Sequence, residues 1–371
     1  MNRESLSLHI EEVTTGRGLE ALVPEWSALW ARSPSATPFQ TPEWLLPWWR
    51  HIGRGELLVI TVRCEGRLVG LAPLFIDDGP GYDGPACCNR RIALLGSGIT
   101  DYLDVLFEPD AAPAGTAAVF RYLLRERARW ELCDLREIRT TSPLLGCTLS
   151  HGLSARIRPL EACPVLELPE SIEALRSGIS AAQRVRVDRA RRAVDSAGSV
   201  LIESAREETT DEFLDDFFGL SYSRRTGEGE SAPGEDGATE LFHRVAAYPL
   251  QRRAYLRLYR LRVNGSTAAV VYGLRGRDAF YCYRVRTNPV FSRLSPGIVL
   301  IDHAIEEAIA EGMREFDFLR GREKLKYLWG ACDRMNYRIT IDHLPLAAPR
   351  SAEGALSAAA VLSGRLQENG L

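Results

Sequence analysis

The chain has 371 residues, of which 45% are hydrophobic and 26% charged, with a formal net charge of −3. That length suits two domains of ordinary size, the composition is that of a soluble globular protein, and the slight acidity argues against broad nucleic-acid binding, DNA included. No apolar run approaches the ~20 residues of a membrane-spanning helix, and the opening MNRESLSLHIEEV lacks the apolar core of a secretory signal, so cytoplasmic residence is the default expectation.

In chain order, Leu6–Val13 alternates like an edge strand and Leu19–Trp30 reads as an amphipathic helix. Pro42–His51 is a helix that Thr41 can cap, with Pro42 at its first position. Leu57–Cys64 and Leu68–Ile76 form a hairpin around Glu65-Gly66. The Gly/Pro-rich loop Asp77–Pro85 follows, then strands at Arg91–Leu95 and Leu103–Phe107, a helix over Gly115–Arg129 and a strand over Leu132–Ile138. The second half begins near Pro164. Ser171 opens a short helix, and Ser180–Ala197 is a longer one closed by Gly198. A strand is predicted over Val200–Ser204 and helices over Thr210–Arg224 and Thr239–Tyr248, separated by the loop Thr226–Ala238. Strands Tyr255–Val263 and Thr267–Leu274 flank Asn264-Gly265, the strongest short hairpin signal. Ala279–Arg286 is a third strand, 297–312 a helix, 315–319 and Asn336–Ile341 further strands, and 347–371 a loose tail rich in Ala, Ser and Gly.

The two halves share an order: an x-Gly hairpin, a helix opened by glycine (Gly115, Gly297), then a strand carrying an aspartate (Asp134, Asp317). This reads as a duplicated α/β (α+β) unit, each a mixed, mostly antiparallel sheet flanked by helices. The expected blocks are 1–165, 166–346 and a tail from 347. The eight cysteines show no CxxC spacing and the six histidines neither HxH nor HxxxH, so reduced thiols and no metal site are expected.

Residues 293–329 hold the densest set of candidates. Ser295-Pro296-Gly297 opens a helix whose first-turn N–H groups and partial positive charge suit a pyrophosphate, with Arg293 as counter-charge; it also reads as a serine-capped helix start. Asp317 alternates with Phe316 and Phe318, so it faces away from them, toward solvent or a cleft. It serves either as a general base or as an anchor for the following loop, with Arg320 or Arg322 as ion-pair partner. Lys326 can hold a phosphate or carboxylate or stabilise developing negative charge. Trp329, three residues on, reads first as packing. The run Arg184–Arg192 carries five arginines, dense enough for an anionic partner although such runs are usually solvated helix faces.

The order hairpin, third strand, Ser295-Pro296-Gly297, Asp317-Phe318-Leu319-Arg320-Gly321, then Lys326-Tyr327-Leu328-Trp329 resembles the GNAT-type acyltransferases of the CelD/BcsL-like group, itself similar to the Fem-type peptidyltransferases. Phe39-Gln-Thr-Pro-Glu-Trp44 and the arginine-rich helix fit as well. The resemblance implies tandem GNAT-like domains with chemistry centred on the second, Asp317 and Lys326 as catalytic residues, and acyl-CoA as co-substrate with no metal. It implies that Val285, Arg286, Arg293, Ser295, Gly297 and Ile298 hold the donor. Backbone N–H groups near Val285 would polarise the thioester, and an amine would attack directly. Arg184, Arg189, Tyr283 and Trp329 are the acceptor-side candidates, the acceptor being a small molecule, a glycan or a peptide. Pro296 and Ile298 depart from the usual glycine-rich pyrophosphate loop, and proline offers no N–H. Two alternatives remain: an aminoacyl-tRNA donor, favoured by the arginine run and disfavoured by the acidity, and a non-catalytic module binding an anionic glycan or lipid.

Overall fold

A computed structural model describes residues 7–79, 90–147, 149, 151–225 and 237–343. Most of the Asp77–Pro85 loop, the 226–238 loop up to residue 236, and the tail lie outside the described residues. The chain opens with β1 (Leu8–Val13), α1 (Gly16–Ala21), α2 (Val23–Arg32) and α3 (Pro42–His51). Next come β2 (Glu56–Cys64), β3 (Arg67–Asp77), β4 (Arg91–Leu94), the short β5 (Leu106–Phe107), α4 (Ala112–Arg125) and β6 (Leu132–Arg139). There follow β7 (Leu153–Glu167), α5 (Ile172–Gly178), α6 (Ala181–Asp195), β8 (Val200–Ser204), α7 (Thr210–Arg225) and α8 (Gly237–Arg252). The remainder is β9 (Leu256–Val263), β10 (Ser266–Arg275), β11 (Ala279–Thr287), α9 (Pro296–Ala310), β12 (Glu315–Asp317) and β13 (Cys332–His343).

Two compact units result, one from residues up to 160 together with those from 335, the other from 161–334. In the first, β1 to β4 pair antiparallel in sequence order; α4 then carries the chain across to β6, which lies parallel to β4 through Arg91↔Leu132 and Ile92↔Cys133. Residues 336–342 of β13 close that sheet against β6. In the second, β8 to β11 pair antiparallel, α9 crosses over, and β12 lies parallel to β11 from Ala279↔Glu315 to Tyr281↔Asp317. Residues 165–167 of β7 pair antiparallel with β12. A parallel neighbour requires a crossover helix, so the same order of four antiparallel strands, helix and parallel strand is written twice. The expected blocks are contiguous in sequence, whereas the units exchange their last strands: β7 follows β6 yet its end pairs with β12, and β13 follows β12 yet pairs with β6.

Both hairpin turns have the same form. Glu65 and Gly66 sit at φ 51° and 79°, Asn264 and Gly265 at φ 51° and 79°, the pair of positive values that matches the twist of two antiparallel strands. Each unit has its own core. Leu58, Ile60, Val62, Phe120 and Leu123 pack in the first, and Val187, Phe280, Leu300, Ile305, Phe316 and Trp329 in the second.

Three local expectations change. The 19–30 helix is two helices meeting at Leu22, with Pro24 in the first turn of the second. α4 begins at Ala112, and Gly115 lies inside it because Phe107 packs there: a Cβ on Gly115 would come 2.2 Å from its ring. Ser295 sits at φ 55° and makes no side-chain cap, so α9 starts from a left-handed turn rather than a serine cap. β7 lies outside the predicted elements; its first half alternates exposed polar residues with partly covered ones.

Candidate active site

In the second unit the pairing of β11 with β12 is short. β11 and β12 run together only as far as Tyr281 and Asp317; β12 then ends, while β11 continues to Thr287. A bulge in β11 sharpens the divergence. Tyr272 pairs with Arg284 and Gly273 with Cys282, so Tyr283 is the extra residue, and a bulge bends and twists its strand. Beyond it, Val285 packs toward the α9 core, whereas Arg286 crosses the face of Phe217 at 5.4 Å. Tyr283 is buried in an aromatic nest with Tyr272 and His243, its ring centroid 5.6 and 5.3 Å from theirs. Burial and the nearby Arg284 cation push His243 down to about 3, so this imidazole is neutral.

The first turn of α9 abuts the diverging end of β11. A Cβ on Gly297 would lie 2.9 Å from Thr287 Cγ2 and 3.7 Å from Val285 Cγ1, so only glycine lets the helix start approach the strand this closely. Pro296, Gly297 and Ile298 are buried, Ser295 is half-buried, and Arg293 is exposed one turn upstream. The N–H of Ile298 bonds to Ser295 O at 3.0 Å.

Asp317 is fully buried, with Phe316 and Phe318 in the core beside it. The next turn places Leu319 at φ 57°, a left-handed conformation that costs about 1–3 kcal/mol for such a side chain unless its surroundings enforce it. Two groups hold that peptide. Asp317 Oδ1 accepts the Leu319 N–H at 2.8 Å, and Lys326 Nζ donates to Leu319 O at 3.2 Å and also to Arg320 O. Glu323 completes the set around the ammonium at 3.0 Å. Arg322, one of the two arginines suggested as partners for Asp317, pairs with Asp333 at 2.9 Å. Cys282, on β11 beside this turn, has its thiol pushed up to about 12 by burial and by the Asp317 charge, against the pull of Lys326. It is therefore no nucleophile at neutral pH.

Trp329 belongs to the core rather than to an open surface. It is 1% exposed, stacks on Phe318 at 5.8 Å, and donates Nε1–H to Asp302 Oδ1 at 2.8 Å. Asp302 had no place among the candidates. It is fully buried in α9 and receives Arg191 Nε at 2.6 Å and Arg176, joining three helices and the 324–329 turn. A carboxylate taken from water needs such partners, and an aspartate amid the apolar run IVLIDHAI is the signal that could have marked it. The arginine run divides likewise. Arg184 caps the end of α5 through Arg176 O at 2.9 Å and Ile179 O at 2.8 Å, and Arg191 joins Asp302, while Arg189 is exposed.

The structure therefore brings Val285 together with Gly297, and Asp317 together with Lys326 around Leu319. It does not bring Arg184 or Trp329 to an open surface. Residues 181–327 match the family model for the acetyltransferase (GNAT) domain. The second unit contains a GNAT domain. Several solved structures share the fold of the whole chain. FemX superposes with a TM-score of 0.59 at 10% identity, covering 89% of this chain and 96% of its own. The C-terminal DUF2156 domain assigned to a lysylphosphatidylglycerol synthetase of Agrobacterium fabrum gives 0.54 at 10% identity, covering 94% and 96%. A conserved protein of unknown function from Bacteroides thetaiotaomicron VPI-5482 gives 0.52 at 12%, covering 86% and 97%. At these identities the likeness is one of fold. No curated protein matches the chain. The GNAT domain sits in a chain with a Fem-like fold, and the chemistry of the matched domain is acyl transfer. Among the described residues, no helix is long and apolar enough to cross a membrane, and no three His, Cys, Asp or Glu side chains are grouped to hold a metal ion.

Proposed function

We propose that this protein is an N-acyltransferase that takes its acyl group from acyl-CoA and passes it to an amine of a polar acceptor. One observation carries the reading: β11 parts from β12 after Tyr281, and the first turn of α9 lies against the diverging strand through Gly297. The partial positive charge of that helix start, with Arg293 before it, suits a pyrophosphate. N–H groups of β11 near Val285 and Arg286 suit the thioester oxygen as negative charge gathers on it. The amine nitrogen bonds to the carbonyl carbon, the carbon–sulfur bond breaks, and the thiolate leaves. The amine's proton passes to Asp317, placed where the strands part. Lys326 holds the Leu319 turn and so fixes the Asp317 carboxylate. The acceptor is a small molecule, a glycan or a peptide, and an acyl-CoA donor fits cytoplasmic residence.

Calorimetry with acetyl-CoA and longer acyl-CoAs tests the donor. Binding is expected, weakened at least about tenfold by Gly297→Val, which would push α9 off β11. No heat with any acyl-CoA or with CoA itself overturns the assignment. An aminoacyl-tRNA donor is the second reading, and Pro296 is the observation on its side, because it withdraws an N–H from the helix turn a pyrophosphate would use. Binding of tRNA that weakens steeply with salt, in the absence of CoA binding, would select it.

A further inference from the structure

The five arginines of the 184–192 run do two jobs. Arg184 and Arg191 turn inward, onto the end of α5 and onto Asp302. Arg186, Arg189 and Arg192 are exposed. At 100° per residue these three span an arc of about 120° on α6, opposite the buried Val187, Ala190 and Val194. Asp188 and Asp195 fall outside that arc. Among the described residues Arg186 and Arg189 make no ion pair, and Arg192 donates only to the Asp188 backbone carbonyl at 3.3 Å. Val185 lies inside the same arc and is 50% exposed. The turn Pro289–Leu294 packs beside α6 and adds Val290, 83% exposed, and the exposed Arg293.

We propose that this face of α6, with the Pro289–Leu294 turn, docks on an anionic phospholipid surface. Guanidinium groups without carboxylate partners are available to lipid phosphates, and arginine engages phosphate oxygens bidentately. The exposed valines decide between polyanions. An aliphatic side chain gains nothing from the phosphates of a nucleic acid, but it gains by entering the headgroup–acyl boundary that the arginines approach. The chain as a whole is slightly acidic, so this basic face would also orient it, the remainder being repelled by the same charge. Of these residues only Arg293 is shared with the proposed donor site, and no variant below alters it.

Co-sedimentation of the full chain with phosphatidylcholine vesicles containing about 30% phosphatidylglycerol tests it. The chain is expected in the pellet at low salt, at least about fivefold less with pure phosphatidylcholine, and less again as salt rises and the Debye length shrinks. The triple variant R186Q/R189Q/R192Q is expected to lose at least about fivefold and Val290→Ser about twofold, with melting unchanged because all four side chains are exposed. Should the triple variant fold poorly, Arg189→Glu alone carries the test. Equal sedimentation of wild type and variants, or none on acidic vesicles, overturns the proposal. So does retention of a tRNA pool by the wild type, lost in the triple variant, without vesicle binding.

Discussion

Asp134 and Asp317 are each the third residue of the strand that follows a unit's crossover helix, β6 in one and β12 in the other. Asp134 is saturated with guanidinium: Arg338 reaches it at 2.6 and 3.0 Å and Arg136 at 3.1 Å. β6 runs on to Arg139 with β13 paired alongside. Asp317 spends an oxygen on the N–H of a left-handed leucine, and β12 stops there. The same step of the same topology serves as an ionic rivet in one unit and as the anchor of a left-handed turn in the other. What separates them is whether the strand runs on past the aspartate, not which residue occupies the position.

That contrast can be broken by experiment. Asp134→Ala leaves partly buried arginines without their carboxylate and is expected to cost roughly 3 kcal/mol of stability by chemical denaturation, without a specific effect on donor binding. Asp317→Asn keeps an oxygen for the Leu319 N–H, so melting should change little while acyl transfer falls about 100-fold. Equal activity of that variant and the wild type would make Asp317 an anchor only. Lys326→Ala releases the Leu319 and Arg320 carbonyls and is expected to slow transfer about tenfold, with the fold retained by circular dichroism.

The units also differ in how they meet pH. Burial pushes the Asp104 carboxyl in the first unit up to about 7, although Ser142 and the Val105 N–H donate to it. Between about pH 4 and 7 the folded chain therefore holds a proton the unfolded chain has lost, and stability falls as pH rises. His243 in the second unit, held down to about 3, does the opposite: below its ordinary value the unfolded chain binds a proton the folded chain refuses, so stability falls as pH drops from about 6.5 toward 3. Urea denaturation across pH 4 to 7 should show Asp104→Asn unmasking a rise of stability with pH, and His243→Gln unmasking a fall. The smallest expected difference lies in the hairpins. Asn264 accepts the Ser199 N–H and donates to Ala197 O, both at 2.9 Å, while Glu65 holds the same φ without such bonds on the described residues. Glu65→Asn should gain about 0.5 kcal/mol and Asn264→Glu lose more.

Much of the second unit was legible because its signals are local. Asn264-Gly265 fixed a hairpin, Ser180 and Gln183 form a reciprocal cap that starts α6, and alternating Phe316 and Phe318 put Asp317 on the opposite side from the core phenylalanines. The candidates around Leu319 and Gly297 follow from those elements. Trp329, read first as packing, is in the core, whereas Arg184 turns inward onto Arg176 O and Ile179 O, because a long polar side chain does not announce whether it turns outward or inward.

Composition, turn chemistry and hydrophobic period by themselves determined most of the elements, their repetition and the start of α9, because each depends on neighbours a few residues apart. The tertiary structure alone decided that β7 and β13 change units, that α9 approaches β11 through Gly297, that Leu319 is held left-handed, and which arginines face outward. Those outcomes rest on strand pairing and burial between residues tens to hundreds of positions apart, which no local pattern encodes.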